Sequence, residues 1–481
     1  MSATVVVTGT ASGVGKTTVT LALMAALRRR GLIVQGFKIG PDFIDPAFHA
    51  LVTGRPSYTL DGWMCGRDAV CATVAQHAAR AEVSVIEGVM GCFDGIDGVS
   101  DDGSTAQIAK WLGAPVVLVV DARAASRSLA ATVLGFEQFD PELALAGVIA
   151  NNVGSATHAR WVLDAIKARC RTVPLGALGR DASLTLPERH LGLVTAAEGP
   201  LTPEKQAALA DAFERGIDVD RLLSIARQDD GIGRGPESAG TRRENRSSAV
   251  RRFSRPTPVG PSPGPVPSAG SRVRIGVARD LAFQFYYEEN FARLRAAGAE
   301  LVFWSPEHDG ELPDVDGLYF GGGYPELRAG ALAANVGVRR AVGKFVEAGG
   351  IVYAECGGLM YLAEALEDDA GVLHEMVGVL PAVVRMRPRR LSLSYLTVTT
   401  TAPSAFGAAG VTARGHEFHY STLEPPPASV ERVYRLSDTR GGERVEGYQI
   451  GGALLSYAHL HFASNPDLAP ALVAACARGR R

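Results

Sequence analysis

The feature that most constrains this chain is a glycine-rich segment near its start, between an apolar run and a helical pattern. Thr8–Thr18 reads T-G-T-A-S-G-V-G-K-T-T and follows Thr4–Val7, which has the pattern of a buried parallel strand. Val19–Arg30 then shows a helical pattern that Gly31 closes. A strand, a glycine-rich loop and a helix that starts with Gly-Lys-Thr form a phosphate-binding loop, in which backbone N–H groups bind phosphate oxygens. The segment therefore predicts a nucleotide site at the edge of a parallel sheet.

Several residues of this segment are expected to bind nucleotide phosphates and a magnesium ion. Lys16 is placed to reach the β- and γ-phosphates, and the Thr17 hydroxyl to bind Mg²⁺. The spacing departs from the usual pattern, because Thr10 stands where the first glycine is expected, and the loop is one residue longer. The residues that we expect to bind the nucleotide here are Gly13, Gly15, Lys16, Thr17 and Thr18.

Apolar runs and helical stretches alternate through about residue 228. This alternation predicts an α/β domain with an open, mostly parallel sheet and helices on both faces. The predicted strands after the first are Leu32–Ile39, Val83–Glu87, Val116–Asp121 and Ala146–Asn151. Ligands on such sheets bind beyond the carboxyl ends of the strands. The candidates that these strand ends supply are Lys38, Glu87, Asp121 and Asn151.

The loop after the second predicted strand carries two carboxylates in the segment K-I-G-P-D-F-I-D-P-A-F-H. Asp and Pro in such a pattern often form only a turn. This loop, however, leaves the sheet at the same edge as the phosphate-binding loop, where a metal–phosphate site needs carboxylates. We therefore expect Asp42 to bind the metal and Asp45 to bind it or to accept a proton in catalysis. Glu87 is the stronger candidate for Mg²⁺, because it ends a buried strand beside the phosphate-binding loop. Two less specific candidates are Asp61 and Asp94.

A segment rich in Gly, Pro, Ser and Arg interrupts the alternating pattern and is expected to be a disordered or loosely ordered linker. A second alternation of strands and helices begins at Val273, and from Leu391 the pattern turns to β-strands with Pro and Gly turns. A chain of 481 residues is expected to hold two or three domains. We therefore predict an α/β domain at 1–228, a linker at 229–271 and a second α/β domain at 272–481.

The second domain contains a cysteine in the setting of an activated nucleophile. V-Y-A-E-C-G-G-L-M-Y-L predicts a strand, a sharp turn and a helix, with Cys356 on the turn. The helix N-terminus should lower the pKa of the thiol, and the Gly357 N–H could join an oxyanion hole with the 321–323 glycine loop. A buried structural cysteine is the competing interpretation. A general base is also required, and S-Y-A-H-L-H-F offers His459 and His461.

These motifs together resemble a known family of two-domain enzymes. The N-terminal domain is similar to the dethiobiotin synthetase fold, and the C-terminal domain is similar to a triad-type, class I glutamine amidotransferase. Taken together they resemble the cobyrinic acid a,c-diamide synthase family, over nearly the whole chain except the linker. The motifs that carry this resemblance are G-T-A-S-G-V-G-K-T-T, K-I-G-P-D-F-I-D-P, L-D-G-W-M, I-E-G-V-M-G-C-F-D-G, G-G-G-Y-P-E, E-C-G-G-L-M-Y-L, G-H-E-F-H-Y-S and S-Y-A-H-L-H-F.

The resemblance implies that glutamine supplies ammonia and that ATP, with Mg²⁺, activates two side-chain carboxylates of a corrin ring. It implies that Cys356 is the nucleophile and His459 its base, and that Asn151 reads adenine. Lys16, Thr17 and Glu87 are then the residues that serve ATP and magnesium. The usual triad places Glu two residues after the histidine, where this chain has His461. The third member is therefore open, and a dyad is an alternative.

Other functions remain open or are disfavoured at this stage. A cobyric acid synthase, which amidates other carboxylates of the ring, is a near alternative, and the ring could be cobyrinic or hydrogenobyrinic acid. A partitioning-type nucleotide switch is disfavoured, because the segment Thr10–Gly13 lacks the signature lysine. The net charge of −2 indicates no nucleic-acid partner, and no apolar run is long enough for a membrane span. Six cysteines without a C-x-x-C pair fit a cytoplasmic protein without a zinc site. Whether the protein forms a homodimer is open.

Overall fold

The structure is a computed structural model that describes residues 2–181, 186–189, 192–228, 272–387 and 391–479. The predicted linker at 229–271 lies outside the described residues. The strands of the first domain are β1 (Ala3–Gly9), β2 (Val34–Ile39), β3 (Tyr58–Leu60), β4 (Val83–Glu87), β5 (Val116–Asp121), β6 (Leu145–Val153), β7 (Val173–Gly179), β8 (Glu188–Arg189) and β9 (Gly192–Leu193). Its helices are α1 (Lys16–Arg29), α2 (Ile44–Thr53), α3 (Gly62–Ala78), α4 (Thr105–Leu112), α5 (Ser128–Phe139), α6 (Ala156–Arg169), α7 (Pro203–Gly216) and α8 (Val219–Arg227).

The first sheet is parallel throughout, in the order β3-β2-β4-β1-β5-β6-β7. Its central strands are apolar on both faces, because helices cover both sides and leave no face to water. One apolar core packs α1, α2, α7 and α8 on one face, and two further cores lie on the other. The predicted α/β fold is confirmed, and its carboxyl-end edge carries the phosphate-binding loop. The edge strands β3 and β7 were not predicted.

The second domain combines a parallel half and an antiparallel half. Its strands are β10 (Val273–Ala278), β11 (Ala299–Trp304), β12 (Gly317–Phe320), β13 (Ile351–Glu355), β14 (Ala363–Glu367), β15 (Leu373–Glu375), β16 (Leu380–Met386), β17 (Ser392–Thr400), β18 (Thr412–His419), β19 (Ser421–Leu423), β20 (Glu431–Asp438), β21 (Glu443–Ile450), β22 (Ala453–Ser456) and β23 (His459–Leu460). Its helices are α9 (Glu288–Ala296), α10 (Ala329–Ala334), α11 (Val336–Glu347), α12 (Gly357–Leu362) and α13 (Leu468–Arg478).

The large sheet of this domain curls back on itself. Its strand order is β11-β10-β12-β13-β22-β21-β20-β17-β18-β23, so that β22 lies in the middle and β23 at one end. Only Tyr457 and Ala458 connect these two strands in sequence. Two residues span less than about 10 Å, so the end of the sheet has to return to its middle. This curl brings His459, on β23, towards the strand that precedes Cys356.

The two domains touch through the L-D-G-W-M segment of the first domain. Tyr395 donates a hydrogen bond to Asp61 Oδ2 over 2.7 Å. Arg414 Nη1 donates to the Trp63 carbonyl over 2.7 Å, and its guanidinium carbon lies 4.9 Å from the centre of the Trp63 ring. Asp61 Oδ1 also caps α3 by accepting from the Met64 N–H. The structure therefore gives Asp61 a role in the domain interface. None of the helices within the described ranges is long and apolar enough to cross a membrane.

Candidate active sites

The phosphate-binding loop joins β1 to α1 in the predicted arrangement. Gly13 and Gly15 have φ angles of 77° and 93°, which favour glycine, and a Cβ on Gly15 would lie 2.3 Å from Asn151 Nδ2. Lys16 is buried and its Nζ donates to the Ala11 carbonyl over 3.0 Å, while Thr18 lies half-buried in the first turn of α1. Asn151 Nδ2 donates to the Val14 carbonyl over 2.9 Å. The sequence-predicted Asn151 thus lies directly against the loop.

A buried network of charged side chains lies beside Thr17. The Thr17 hydroxyl is 2.6 Å from Glu87 Oε1 and 3.3 Å from Asp45 Oδ2. Lys38 Nζ is 2.7 Å from Asp45 Oδ2 and 3.1 Å from Glu87 Oε1. His49 Nε2 is 2.7 Å from Glu87 Oε2, so His49 also belongs to this network. The strand ends of β2 and β4 therefore meet the phosphate-binding loop, as the topology predicts.

Burial and proximity shift the proton affinities within this network in opposite directions. Burial, together with the neighbouring Asp42 and Glu87 carboxylates, raises the pKa of Asp45 well above its usual value. Burial alone would also raise the pKa of Glu87, but Lys38 and His49 hold it far below its usual range. One carboxylate of the pair is thus strongly anionic, while the other holds a proton more readily. Such a separation suits one metal-binding group and one proton acceptor.

Asp42 lies near Lys38 but, unlike Asp45 and Glu87, is not within hydrogen-bond distance of Thr17 in the described structure. Its Oδ1 accepts from the N–H groups of Ile44 and Asp45 over 2.8 and 3.0 Å, and its Oδ2 is 4.0 Å from Lys38 Nζ. Asp42 therefore turns the chain into α2 and also faces the network. The oxygens that converge most closely belong to Thr17, Glu87 and Asp45, and oxygen ligands of this kind fit Mg²⁺.

The described residues contain no preformed cluster of three His, Cys, Asp or Glu side chains around one metal position.

Cys356 stands on a sharp turn between β13 and α12. Its φ of 47° is unusual for a residue with a side chain, and its N–H donates to the Ser456 carbonyl over 2.8 Å. A Cβ on Gly357 would lie 3.1 Å from the Gly323 nitrogen, so the 321–323 glycine loop packs against the turn. Burial raises the pKa of the thiol. The expectation that the helix N-terminus would lower it is wrong, because α12 has six residues and cannot offset complete burial.

His459 reaches the same glycine loop from the other side. A Cβ on Gly322 would lie 2.4 Å from His459 Cε1, and β23 pairs with β18 so that His459 is opposite His416. Burial and the neighbouring histidines lower the pKa of His459 well below its usual value, which favours the neutral form of the ring. The Cys356 thiol lies 3.9 Å from the Phe418 carbonyl, and within the described chain it has no hydrogen bond to His459.

His461, the other predicted candidate base, lies elsewhere. Its ring packs 4.4 Å from the Tyr287 ring, and its Nδ1 accepts from the Ala463 N–H over 3.2 Å. Burial lowers its pKa to about 3. His461 is therefore part of the packing of the last strand, and the geometry favours His459 as the base.

A cavity of about 540 Å³ lies between the two domains and borders both sites. Its lining includes Asp42 and Phe43 from the first domain and Tyr395, His416 and His459 from the second. Aromatic and apolar side chains supply most of the wall, and its polar lining residues include Asp42, Arg440, His416 and His459. A cavity of this size and character accommodates a large, partly apolar ligand.

Sequence reasoning missed two residues of these sites. Phe43 lies within the K-I-G-P-D-F-I-D-P motif and had no predicted role, although its ring lies 5.0 Å from that of His459. Glu355 had no predicted role beyond preceding the nucleophile, although its Oε2 lies 3.9 Å from His459 Nδ1. An acidic residue at the end of a buried strand is itself a signal, because a buried carboxylate requires partners. The contact of Phe43 depends on how the domains dock, for which the sequence carries no local signal.

Comparisons with known proteins identify both halves of the chain. Residues 5–194 match the CobQ/CobB/MinD/ParA nucleotide binding domain, and residues 274–467 match the CobB/CobQ-like glutamine amidotransferase domain. The cobyrinate a,c-diamide synthase of Syntrophotalea carbinolica is 46% identical over 479 residues, which are 98% of each chain. The cobyrinate a,c-diamide synthases of Leptospira interrogans and Salmonella typhimurium are 41% and 40% identical, again over 98% of each chain.

Proposed function

Because this chain belongs to the cobyrinate a,c-diamide synthase family, we propose that one of its sites releases ammonia from glutamine and the other uses that ammonia to amidate a ring substrate. The protein is a glutamine-hydrolysing ligase of corrinoid biosynthesis, and it uses ATP to amidate the a and c side-chain carboxylates of cobyrinic acid, or of the metal-free hydrogenobyrinic acid. The observation that carries the proposal is the interdomain cavity, which touches Asp42 of one site and His459 of the other.

In the first domain, we assign ATP binding to Gly13, Gly15, Lys16, Thr17, Thr18 and Asn151. Lys16 neutralises charge on the transferred phosphoryl group. Phosphorylation of the ring carboxylate makes its oxygen a leaving group, so that ammonia can attack the carbonyl carbon and expel phosphate. Asp45 is suited to accept the proton that the attacking ammonia loses, because its pKa is raised above the usual carboxylate value.

Magnesium is the metal that fits this site. Thr17 and Glu87 would hold it, with Asp42 within reach of the same region; Thr17 and Glu87 lie 2.6 Å apart and present oxygen atoms only. When bound, the ion supplies neutralisation of the phosphate charge. Lys38 provides a second positive charge against Asp45 and Glu87, at 2.7 and 3.1 Å.

In the second domain, we assign the nucleophile to Cys356 and the general base to His459. The thiol proton passes to His459 as sulfur bonds to the carboxamide carbon of glutamine, and the oxyanion forms beside the Gly357 and Gly323 nitrogens. The proton then leaves with ammonia, and water hydrolyses the thioester. The positive φ of Cys356 and the close approach of the glycine loop support this assignment.

The proposed domain boundaries are 1–228 for the ligase domain, 229–271 for the linker and 272–481 for the amidotransferase domain. Both sites and the cavity between them are built from one chain. A homodimer would therefore pair two complete enzymes rather than complete one site.

The deciding experiment supplies the purified protein with ATP, Mg²⁺, glutamine and one ring acid at a time. Cobyrinic acid and hydrogenobyrinic acid are each expected to gain two amide groups, seen as a loss of about 2 Da by mass spectrometry, with two ATP consumed per ring. The a,c-diamide offered as substrate is expected to remain unchanged. Amidation of that diamide at further positions would instead indicate a cobyric acid synthase.

A further inference from the structure

The proposed base carries a buried ring nitrogen without a hydrogen-bond partner. His459 is 1% exposed, and its Nδ1 has no partner among the described residues. In nucleophile–histidine pairs, an acceptor for the Nδ1 proton fixes the tautomer in which the other nitrogen can act as the base. The carboxylate of Glu355 lies beside this nitrogen, with Oε2 at 3.9 Å from Nδ1.

Glu355 is held in place from several directions. Its Oε1 accepts from the Tyr353 hydroxyl over 2.5 Å and from the Leu460 N–H over 2.8 Å. Its Oε2 accepts from the Tyr319 hydroxyl over 2.9 Å. Each carboxylate oxygen has two acceptor sites, so Oε1 is saturated while Oε2 has one left, on the atom that is near His459. Because Leu460 follows His459 on β23, Glu355 also fixes the backbone that carries the base.

We propose that Glu355 is the positioning residue that completes the Cys356–His459 pair, in the place of the acid that usually follows the histidine by two residues. The inference rests on the proposed roles of Cys356 and His459. The group that stands at the usual position, His461, cannot accept the Nδ1 proton of His459, because its own Nδ1 already accepts from the Ala463 N–H, so that its neutral ring carries a proton on Nε2 and offers no free acceptor. In this chain the acid immediately precedes the nucleophile instead.

In this arrangement, the ring nitrogen of His459 that faces Glu355 keeps its proton throughout the reaction. Nδ1–H of His459 points to Oε2 throughout, while Nε2 takes the thiol proton and later gives it to the leaving ammonia. Glu355 exchanges no proton; its negative charge stabilises the imidazolium that exists between these two transfers. The contact of 3.9 Å is longer than a hydrogen bond, and such contacts shorten when substrate binds.

Glu355→Gln is the variant that tests this role. The amide has only one acceptor oxygen, which Tyr353 and Leu460 occupy, so its NH₂ group would face His459 Nδ1 and force the wrong tautomer. We expect the kcat/KM for glutamine hydrolysis to fall about 100-fold or more with little change in KM. The pH at which Cys356 becomes reactive to iodoacetamide should rise by about one unit, because the thiolate–imidazolium pair loses its counter-charge. In Glu355→Asp, which keeps the carboxylate, the pH midpoint of Cys356 alkylation should shift less than in Glu355→Gln.

Glu446→Gln is the matched control. Glu446 is also a buried glutamate beside the β22–β23 connection, where it accepts from the Ser456 hydroxyl over 2.7 Å and the Tyr457 N–H over 2.6 Å. It has no contact with His459 in the described structure. We expect this variant to lose less than tenfold in kcat/KM and to keep the alkylation midpoint. The titratable groups that face Glu355 are Tyr286, Tyr287, Tyr319, Tyr353, Cys356, Tyr434 and His459, and neither Glu355→Gln nor Glu446→Gln replaces any of them.

The outcomes separate this inference from the function on which it rests. If Glu355→Gln and Glu446→Gln lost kcat/KM equally, and the pH midpoint of Cys356 alkylation were unchanged in Glu355→Gln, the proposed role of Glu355 would be overturned. Glutamine hydrolysis that survives in Cys356→Ala would overturn the proposed nucleophile itself. Amidation driven by ammonium salts should persist in Glu355→Gln, which shows that the protein is folded and that the ligase site works.

Discussion

The ring of Phe43 lies 5.0 Å from the ring of His459, although the two residues belong to different domains. Phe43 also packs 4.7 Å from the Tyr287 ring and 5.4 Å from the Phe285 ring. Its neighbours in sequence are Asp42, which faces Lys38, and Ile44, which starts α2. The Phe43 side chain therefore contacts the proposed glutaminase site, while Asp42, the residue before it, belongs to the proposed ligase site.

Replacing Phe43 by alanine is expected to uncouple the two reactions. The ring packs against Phe285, Tyr287, His416 and His459, and we expect it to keep water out of this region, because ammonia that meets bulk water is largely protonated and lost as a nucleophile. Amide formed per glutamine hydrolysed should fall several-fold, while amidation driven by ammonium salts should fall less than about twofold. Phe93→Ala is the control, because the ring of Phe93 packs against those of Phe136 and Phe139 and against an apolar core of the first domain. An unchanged ratio of amide to hydrolysed glutamine would contradict this prediction.

Lys16→Ala should abolish amidation with either nitrogen source and leave glutamine hydrolysis largely intact. Lys16 is buried beside the phosphate-binding loop, in a different domain from Cys356, and we propose that its charge neutralises the transferred phosphoryl group. ATP consumption with ring substrate and release of glutamate are the two measurements. Lys110→Ala, which breaks ion pairs to Asp101 and Asp140 in the same domain, should retain both activities. Normal ATP turnover in the Lys16 variant would refute the nucleotide assignment.

Cys356→Ala should lose all glutamine-dependent amidation and retain the reaction with ammonium salts at raised pH. Only the source of ammonia is removed, because the ligase residues lie in the other domain. His459→Ala should behave in the same way. Cys476→Ala serves as the control, since that buried thiol packs in the core near Gly317. If the folded Cys356 variant also failed with ammonium salts, the two reactions would not occupy separate sites.

Asp45→Asn should lower the rate of amidation at saturation far more than it weakens binding of the ring. The amide keeps the size of the side chain but cannot accept a proton, and it removes the charge that lies 2.7 Å from Lys38 Nζ. We expect a fall in kcat of about 100-fold, within the range for loss of a general base. Kinetic titration with the ring substrate separates the two effects. A large rise in KM with kcat preserved would assign Asp45 to substrate binding instead.

Glu355 should make the protein less stable as the pH rises through the neutral range. Burial raises the pKa of Glu355 to about 7 from a usual value of 4.5. Between these values the native protein holds a proton that the unfolded chain has released, so the free energy of unfolding falls with rising pH. The loss is about 3 kcal/mol once the pH exceeds 7. Denaturant unfolding at pH 5 and pH 8 should show this loss in the native protein and not in Glu355→Gln. Parallel changes in the two proteins would show that Glu355 titrates normally.

The strand ends of the first domain could be predicted because they depend on local pattern. Val83–Glu87 and Val116–Asp121 are apolar runs that end in a polar residue, and the structure ends β4 and β5 at the same residues. Parallel pairing then brings Glu87 next to Thr17 without any further information. In the same way, the two glycines that directly follow Cys356, at the junction of a predicted strand and a predicted helix, marked this residue as an elbow.

Features that depend on contacts between segments far apart in the sequence could not be predicted in this way. The sequence shows that β22 and β23 are neighbours, but not that the sheet curls to place them in its middle and at its end. The pKa of the Cys356 thiol differs from its prediction for a related reason, because its burial comes from elements far away in the chain. The family pattern places the partner of His459 two residues downstream, whereas β13 supplies Glu355 from 104 residues upstream, the difference between positions 459 and 355.

The contact of Arg414 with Trp63 has a consequence for anyone who would recombine such enzymes. Arg414 lies on β18, the strand that pairs with the two-residue strand bearing His459, so a side chain of the first domain braces the support of the base in the second. The amidotransferase domain therefore depends on a contact with its own ligase domain and cannot simply be exchanged. In a chimera that joins residues 272–481 to a foreign ligase domain, the turn at Cys356 would be unchanged. The strand next to His459, however, would lack the contact of Arg414 with Trp63. Such a chimera would need the L-D-G-W-M segment of this chain transplanted with it.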